Sequence, residues 1–149
     1  MTGAAIATIF LATAAHRDVS ATSASRPVRR EPTRTVWDSV YSDSQAVRGD
    51  SLYKAGCARC HGAELKGGDE GSALAGEPLF LTWEGKTVGE MTEQVRLSMP
   101  PDNPKSLSRN QVSDVMAYVM AKNGFPAGPK PLPADVDSLK NIKLLQKHP

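Results

Sequence analysis

Three stretches of the chain place apolar residues at the spacing of a helix face. The clearest is Arg109–Lys122, where Val112, Val115, Met116 and Val119 fall at i, i+3, i+4 and i+7. Val88, Met91 and Val95 mark a second helix over Val88–Leu97. Ala46, Gly49 and Tyr53 draw a narrower stripe over Asp43–Ala55. Each stretch opens on the same polar signal. Ser42 with Gln45, Thr87 with Glu90, and Ser108 with Gln111 have the spacing of a capping box, in which a hydroxyl accepts from the N3 amide and the longer side chain reaches back to the N-cap amide. Leu107 and Val112 flank the third signal as a hydrophobic staple. Gly56 stops the first helix; Asn123-Gly124, followed by Pro126, stops the last. No run alternates apolar and polar residues long enough to be a strand. The pattern predicts an all-α fold of three main helices and long loops.

The loops are too long for that core. HGAELKGGDEGSALAGEPLFLTWEGK separates the first two helices and SMPPDNPKSLS the last two. Structureless connections of such length in a compact domain wrap something. Residues 41–125, the predicted domain, number 85, which bury only a limited core. A large, flat, apolar group held between the loops accounts for both features.

The flanking segments read differently. Residues 1–24 resemble a secretory signal peptide: Ile6–Ala15 is an apolar run too short to span a bilayer, and small residues follow it. No other transmembrane candidate occurs, so the expectation is an exported, periplasmic protein. Residues 25–40 hold several Arg and two Pro without apolar periodicity and read as a basic, solvated linker. Residues 126–149 form a Pro-rich C-terminal extension.

The whole chain carries a formal charge of +2, and the 41–125 segment has nine Lys and Arg against eleven Asp and Glu. Nothing here clusters positive charge as nucleic-acid binding requires.

The only two cysteines, Cys57 and Cys60, sit beside His61 in CARCH. Three chemistries use such a cluster. Structural zinc needs four ligands, and the other histidines, His16 and His148, lie in the tails. A dithiol redox centre belongs at a helix N-terminus beside a βαβ pattern, whereas this motif follows a helix with no strands around it. Covalent attachment of a c-type haem fits: cysteines three apart present both sulfurs on one side of a turn, toward the two vinyl groups of one porphyrin. His61 then reaches the iron, while its other ring nitrogen needs an acceptor.

Histidine is not available for the opposite axial position. Met91 and Met116 fall on apolar stripes and Met120 on a helix, where methionines fill core gaps. Met99 instead precedes Pro100 and Pro101, which stiffen the loop and bias Met99 to an extended backbone. His61 and Met99 are thus the expected iron ligands. Such a pair closes the iron and raises its potential, chemistry suited to electron transfer and not to substrate turnover.

With these residues in view, Tyr41–Phe125 resembles a class I cytochrome c. GDSLYKAGCARCHG is similar to that family's N-terminal helix and attachment turn. Gly49 and Tyr53 match its small and aromatic contact positions, Val115 and Tyr118 their partners on the C-terminal helix, and LSMPPDNPKSLS its methionine loop. The resemblance implies a small cytochrome c fold around one covalent haem c. It implies that Trp83 donates its indole N–H to a haem propionate. The family usually places a proline carbonyl near Leu74 to accept from the axial histidine. Here GSALAG has no proline, leaving the carbonyl of Ser72 or Ala73. The tail resembles that of bacterial cytochromes that serve quinoprotein dehydrogenases, which implies that it folds back, with Leu139, Ile142 and Leu145 packing as helix or extended chain.

Three functions remain open at this level. One is an electron carrier between a redox-protein donor and acceptor, such as a quinoprotein dehydrogenase and a terminal oxidase. Another is a fixed haem subunit of a larger oxidoreductase. The third is an enzyme or gas sensor with an open iron, in which Met99 is not bound.

Overall fold

The structure, a computed structural model, describes residues 1, 3 and 33–149. The chain divides into two units, 1–30 and 31–149. The proposed signal peptide, apart from residues 1 and 3, and the first half of the basic linker lie outside the described residues. The helices and strands of the described residues lie in the second unit.

Its elements in chain order are β1 (Arg34–Thr35), α1 (Asp43–Gly56), α2 (Ala58–His61), α3 (Glu77–Trp83), α4 (Val88–Ser98), α5 (Arg109–Lys122), α6 (Val136–Leu139) and β2 (Ile142–Lys143). The fold is all-α in character. The three helices expected from periodicity are α1, α4 and α5, and they are its longest elements.

Two of the three expected capping boxes form, with Thr87 and Glu90 closing α4 and Ser108 and Gln111 closing α5. The box at Ser42 does not. Gln45 is drawn instead into the interior, where it is 3% exposed. Its amide nitrogen donates to the Leu132 carbonyl and Ser113 Oγ, and its oxygen accepts from the Leu132 N–H. A buried amide satisfied on both ends ties the C-terminal extension to α1 and α5.

α1 and α5 cross at Gly49. A Cβ there would stand 1.9 Å from the Asp114 carbonyl oxygen and 2.9 Å from Tyr118 Cβ, so only glycine lets the two backbones approach. Arg48 grips Asp114 beside the crossing through two N–H···O bonds of 2.9 Å. One turn further on, the Tyr53 and Tyr118 rings pack at 5.2 Å.

The core takes in both flanks of the domain. Val36 and Val40, placed by the sequence in the linker, are buried, and the Trp37 ring meets Phe125 edge-on at 4.9 Å. At the other end Leu132, Leu139, Ile142 and Leu144 are buried. β1 and β2 pair in parallel, Arg34 opposite Ile142. Leu144 exchanges backbone bonds with Gly85 and Lys86, and the Trp37 indole donates to the Leu145 carbonyl at 3.0 Å. The expectation is that Leu139, Ile142 and Leu145 pack, as helix or as extended chain. The segment is extended there, so the period is two, and Leu144 takes the core position while Leu145 is half-buried. α3 has no counterpart among the expected helices; it starts after an N-cap at Gly76 with Pro78 in its first turn, and it buries Leu79 and Phe80.

Two substitutions test this packing. Gly49→Ala forces α1 and α5 apart and is expected to cost at least about 3 kcal/mol, the upper range for overpacking. Gln45→Leu orphans the buried Leu132 N–H, at about 1–3 kcal/mol. Urea unfolding of each variant against wild type measures both; a loss below about 0.5 kcal/mol would contradict the corresponding contact.

Candidate functional site

α1 ends at Gly56, and Cys57 serves both as its C-cap and as the N-cap of α2. The Cys57 N–H bonds the Tyr53 carbonyl at 2.8 Å, and the His61 N–H then bonds the Cys57 carbonyl at 3.0 Å, so Cys57 and the single turn of α2 together present both thiols and the imidazole. Both cysteines are free and half-buried. Burial pushes the Cys57 thiol pKa up, and the neighbouring Cys60 adds to it, which keeps that sulfur protonated at neutral pH.

The loop after α2 curls back under the motif. The His61 carbonyl accepts from the Gly67 N–H at 2.9 Å, and buried Leu65 anchors the return through its carbonyl, which accepts from Leu74 and Ala75. Gly71 passes so close that a Cβ on it would lie 2.6 Å from the Cys60 carbonyl oxygen. This course brings the Ser72 carbonyl to 2.7 Å from His61 Nδ1. A carbonyl can only accept, so Nδ1 is the donor, and in the neutral ring this tautomer leaves the lone pair on Nε2.

Cys57, Cys60, His61, Trp83 and Met99, the five residues singled out in the sequence, all line one cavity of about 410 Å³. Its remaining walls are mainly apolar: Leu74 from the loop, Met91 and Val95 from α4, and Val115, Met116 and Val119 from α5. Met99 caps the C-terminus of α4, with an extended backbone (φ −119°, ψ 144°), as expected ahead of a proline. Pro100 and Pro101 line the cavity with it. Lys86 Nζ sits 4.9 Å from the Trp83 ring centroid, a cation–π contact on the cavity's rim residue.

The donor set and the walls fit a haem of the c type. Two thiols, one imidazole with a directed lone pair, and a thioether converge on an apolar pocket of cofactor size. Among the described residues no group of three or more His, Cys, Asp and Glu side chains could hold a metal ion by itself. No described helix is long and apolar enough to cross a membrane.

Fold and site together define a c-type cytochrome of class I, whose chemistry is haem-based electron transfer. Residues 44–119, just over half of the chain, match the family described as Cytochrome C oxidase, cbb3-type, subunit III, and the chain belongs to that family. Among solved structures it is similar to a chain of the sulfane dehydrogenase SoxCD from Paracoccus pantotrophus, at 23% identity and a TM-score of 0.46, over 72% of this chain and 61% of that one. No curated protein matches.

Sequence reasoning leaves the acceptor for His61 between two carbonyls, because a backbone oxygen has no side-chain signature. It also treats Tyr53 as no more than a packing residue. The Tyr53 hydroxyl donates to the Gly62 carbonyl at 2.7 Å and so braces the motif from below. Burial above all, with Cys57 and Tyr118 adding to it, pushes the Tyr53 phenol up to about 12. A phenol whose folded pKa is raised stabilises the fold fully below its ordinary value, and that contribution disappears as pH climbs through the folded value. Tyr53→Phe is therefore expected to cost about 1 kcal/mol at neutral pH. Denaturation measured from about pH 8 to about pH 12 should show the gap between the two proteins closing above about pH 10. A gap independent of pH would mean that Tyr53 is not held neutral by its surroundings.

Proposed function

We propose that this chain is an exported, periplasmic monohaem electron carrier that passes single electrons between a redox-protein donor and acceptor. Cys57 and Cys60 would hold one haem c through thioether bonds, His61 and Met99 would ligate its iron, and Trp83 would offer its indole N–H to a propionate. The observation that carries this reading is the convergence of these side chains on one apolar cavity, with His61 already oriented by Ser72.

When bound, the haem supplies a one-electron couple, with a potential raised by the soft thioether. The protein's own work is positional. The Ser72 carbonyl fixes the imidazole tautomer and increases its basicity. Val115, Met116 and Val119 keep water from one wall of the pocket, and the prolines after Met99 limit the loop's freedom. A ligand supplied by the protein on each side would suit a centre that changes charge with little rearrangement.

The choice of a free carrier over a fixed subunit is supported by the C-terminal extension. Its apolar residues Leu132, Leu139, Ile142 and Leu144 are buried within this chain, so they do not serve as a leftover interface. Docking to partners such as a quinoprotein dehydrogenase or terminal oxidase then falls to the cavity rim, where Leu81 is 80% exposed beside Thr82 and Trp83.

Protein matured in a competent periplasm should gain the mass of one haem and show a six-coordinate spectrum insensitive to carbon monoxide. Met99→Ala should lose the ferric thioether band, bind carbon monoxide when ferrous, and have a lower potential. A wild type that binds carbon monoxide readily, or a Met99→Ala protein identical to it, would overturn the ligand assignment.

A further inference from the structure

The segment that carries Met99 has little holding it from outside. Its backbone bonds are local: Met99 N–H to Val95 at 2.9 Å, Asn103 N–H to Pro100 at 3.0 Å, and Ser106 N–H to Asn103 at 3.3 Å. Pro100, Pro101 and Pro104 have no N–H to donate, and residues 101–106 are all exposed. Among the hydrogen bonds of the described residues, one reaches from this segment to a distant part of the chain. Arg59 Nη2 donates to Asp102 Oδ2 at 2.6 Å.

The two ends of this ion pair belong to opposite parts of the site. Arg59 lies between Cys57 and Cys60 on α2 and lines the cavity; Asp102 follows Met99, Pro100 and Pro101, which line it too. The other ion pairs among the described residues lie within α1 or α4, join α1 or α4 to α5, or tie α6 to Lys140 at its C-terminal end, and none involves Arg59 or Asp102. The ends also differ in stiffness. Arg59 stands on a helical turn braced by Tyr53 and the Gly67 loop, whereas Asp102 rides on a proline-rich loop. The Arg59 bond, with the backbone N–H groups of Asp102 and Asn103, holds the Asp102 carboxyl below the usual carboxylate range. The pair is thus fully charged at neutral pH.

We propose that Arg59 is a positioning residue for the second axial ligand. Its ion pair with Asp102 clasps the Met99 loop to the attachment turn and sets how often that loop swings away from the cavity. This rests on the reading of Met99 as an iron ligand. Thioether bonds at Cys57 and Cys60 would fix the backbone on both sides of Arg59, so one half of the clasp is immobile and only Asp102 has to be ordered. Because both side chains are more than half exposed, the clasp is weak and open to screening by salt. It tunes the opening of the loop and does not lock it.

The test uses the ferric holoprotein mixed with imidazole, a small nitrogen ligand that can bind only when Met99 has left the iron. The rate of loss of the thioether band reads the opening. Asp102→Asn, which leaves the CARCH motif untouched, and Arg59→Gln are each expected to raise that rate about two- to fivefold. The double variant should be no faster than either single one. Added salt should accelerate the wild type toward the variants and leave the variants unchanged. Variants with the wild-type rate and salt response, or additive effects in the double variant, would overturn the clasp while Met99 remains the ligand. A wild type that lacks the thioether band, and takes up imidazole without losing one, would overturn the ligand reading itself.

Discussion

At Gly49 the backbones of α1 and α5 meet with no side chain between them, and the geometry of the site follows from that contact. With the crossing point set, Arg48 reaches Asp114 and Tyr53 reaches Tyr118, which fixes how α1 is rotated and where it ends. α1 hands over to Cys57 one residue after Gly56, so the crossing decides where both thiols and His61 stand. Val115, Met116 and Val119 of the same α5 form part of the cavity wall. One helix pair therefore places the attachment turn and builds the surface that faces it.

The two sides of the cavity are made in different ways. The His61 side is dense with local bonds: Nδ1 to Ser72, the carbonyl to Gly67, and the Tyr53 hydroxyl to the next residue. The Met99 side has an extended residue at a helix end, stiffened by prolines and tied outward through one exposed ion pair. The imidazole of His61 is therefore held more firmly than the thioether of Met99. The N- and C-terminal flanks do not take part in this. They thicken a core that the three main helices leave thin, through Val36, Leu139, Ile142 and Leu144.

The legible parts of this chain were those governed by near neighbours. α5 spans the residues its apolar period predicts, and two capping boxes form because their partners are three residues apart. The Ser42 box had the same signature and failed, since Gln45 gains more by satisfying Leu132 and Ser113 in the interior, 87 and 68 residues away. α3 was hidden inside a glycine-rich stretch. Its signal was there in the Gly76-Glu77-Pro78 entry ahead of Leu79, Phe80 and Trp83, but at seven residues the apolar face was too brief to separate from a loop. Leu144 and Leu145 could not be ranked without knowing that the tail is extended at that point.

The sequence alone determined the cofactor chemistry, because CARCH encodes the spacing of two sulfurs and an imidazole on one turn, and it determined the residues that could complete the site. Tertiary structure decided which carbonyl orients His61, which residue of the tail enters the core, and that Arg59 and Asp102 meet. The reason is range. Helix turns and covalent spacing are set by a handful of adjacent residues. A backbone acceptor or an ion pair between distant loops exists only once the helix crossing has brought those loops together.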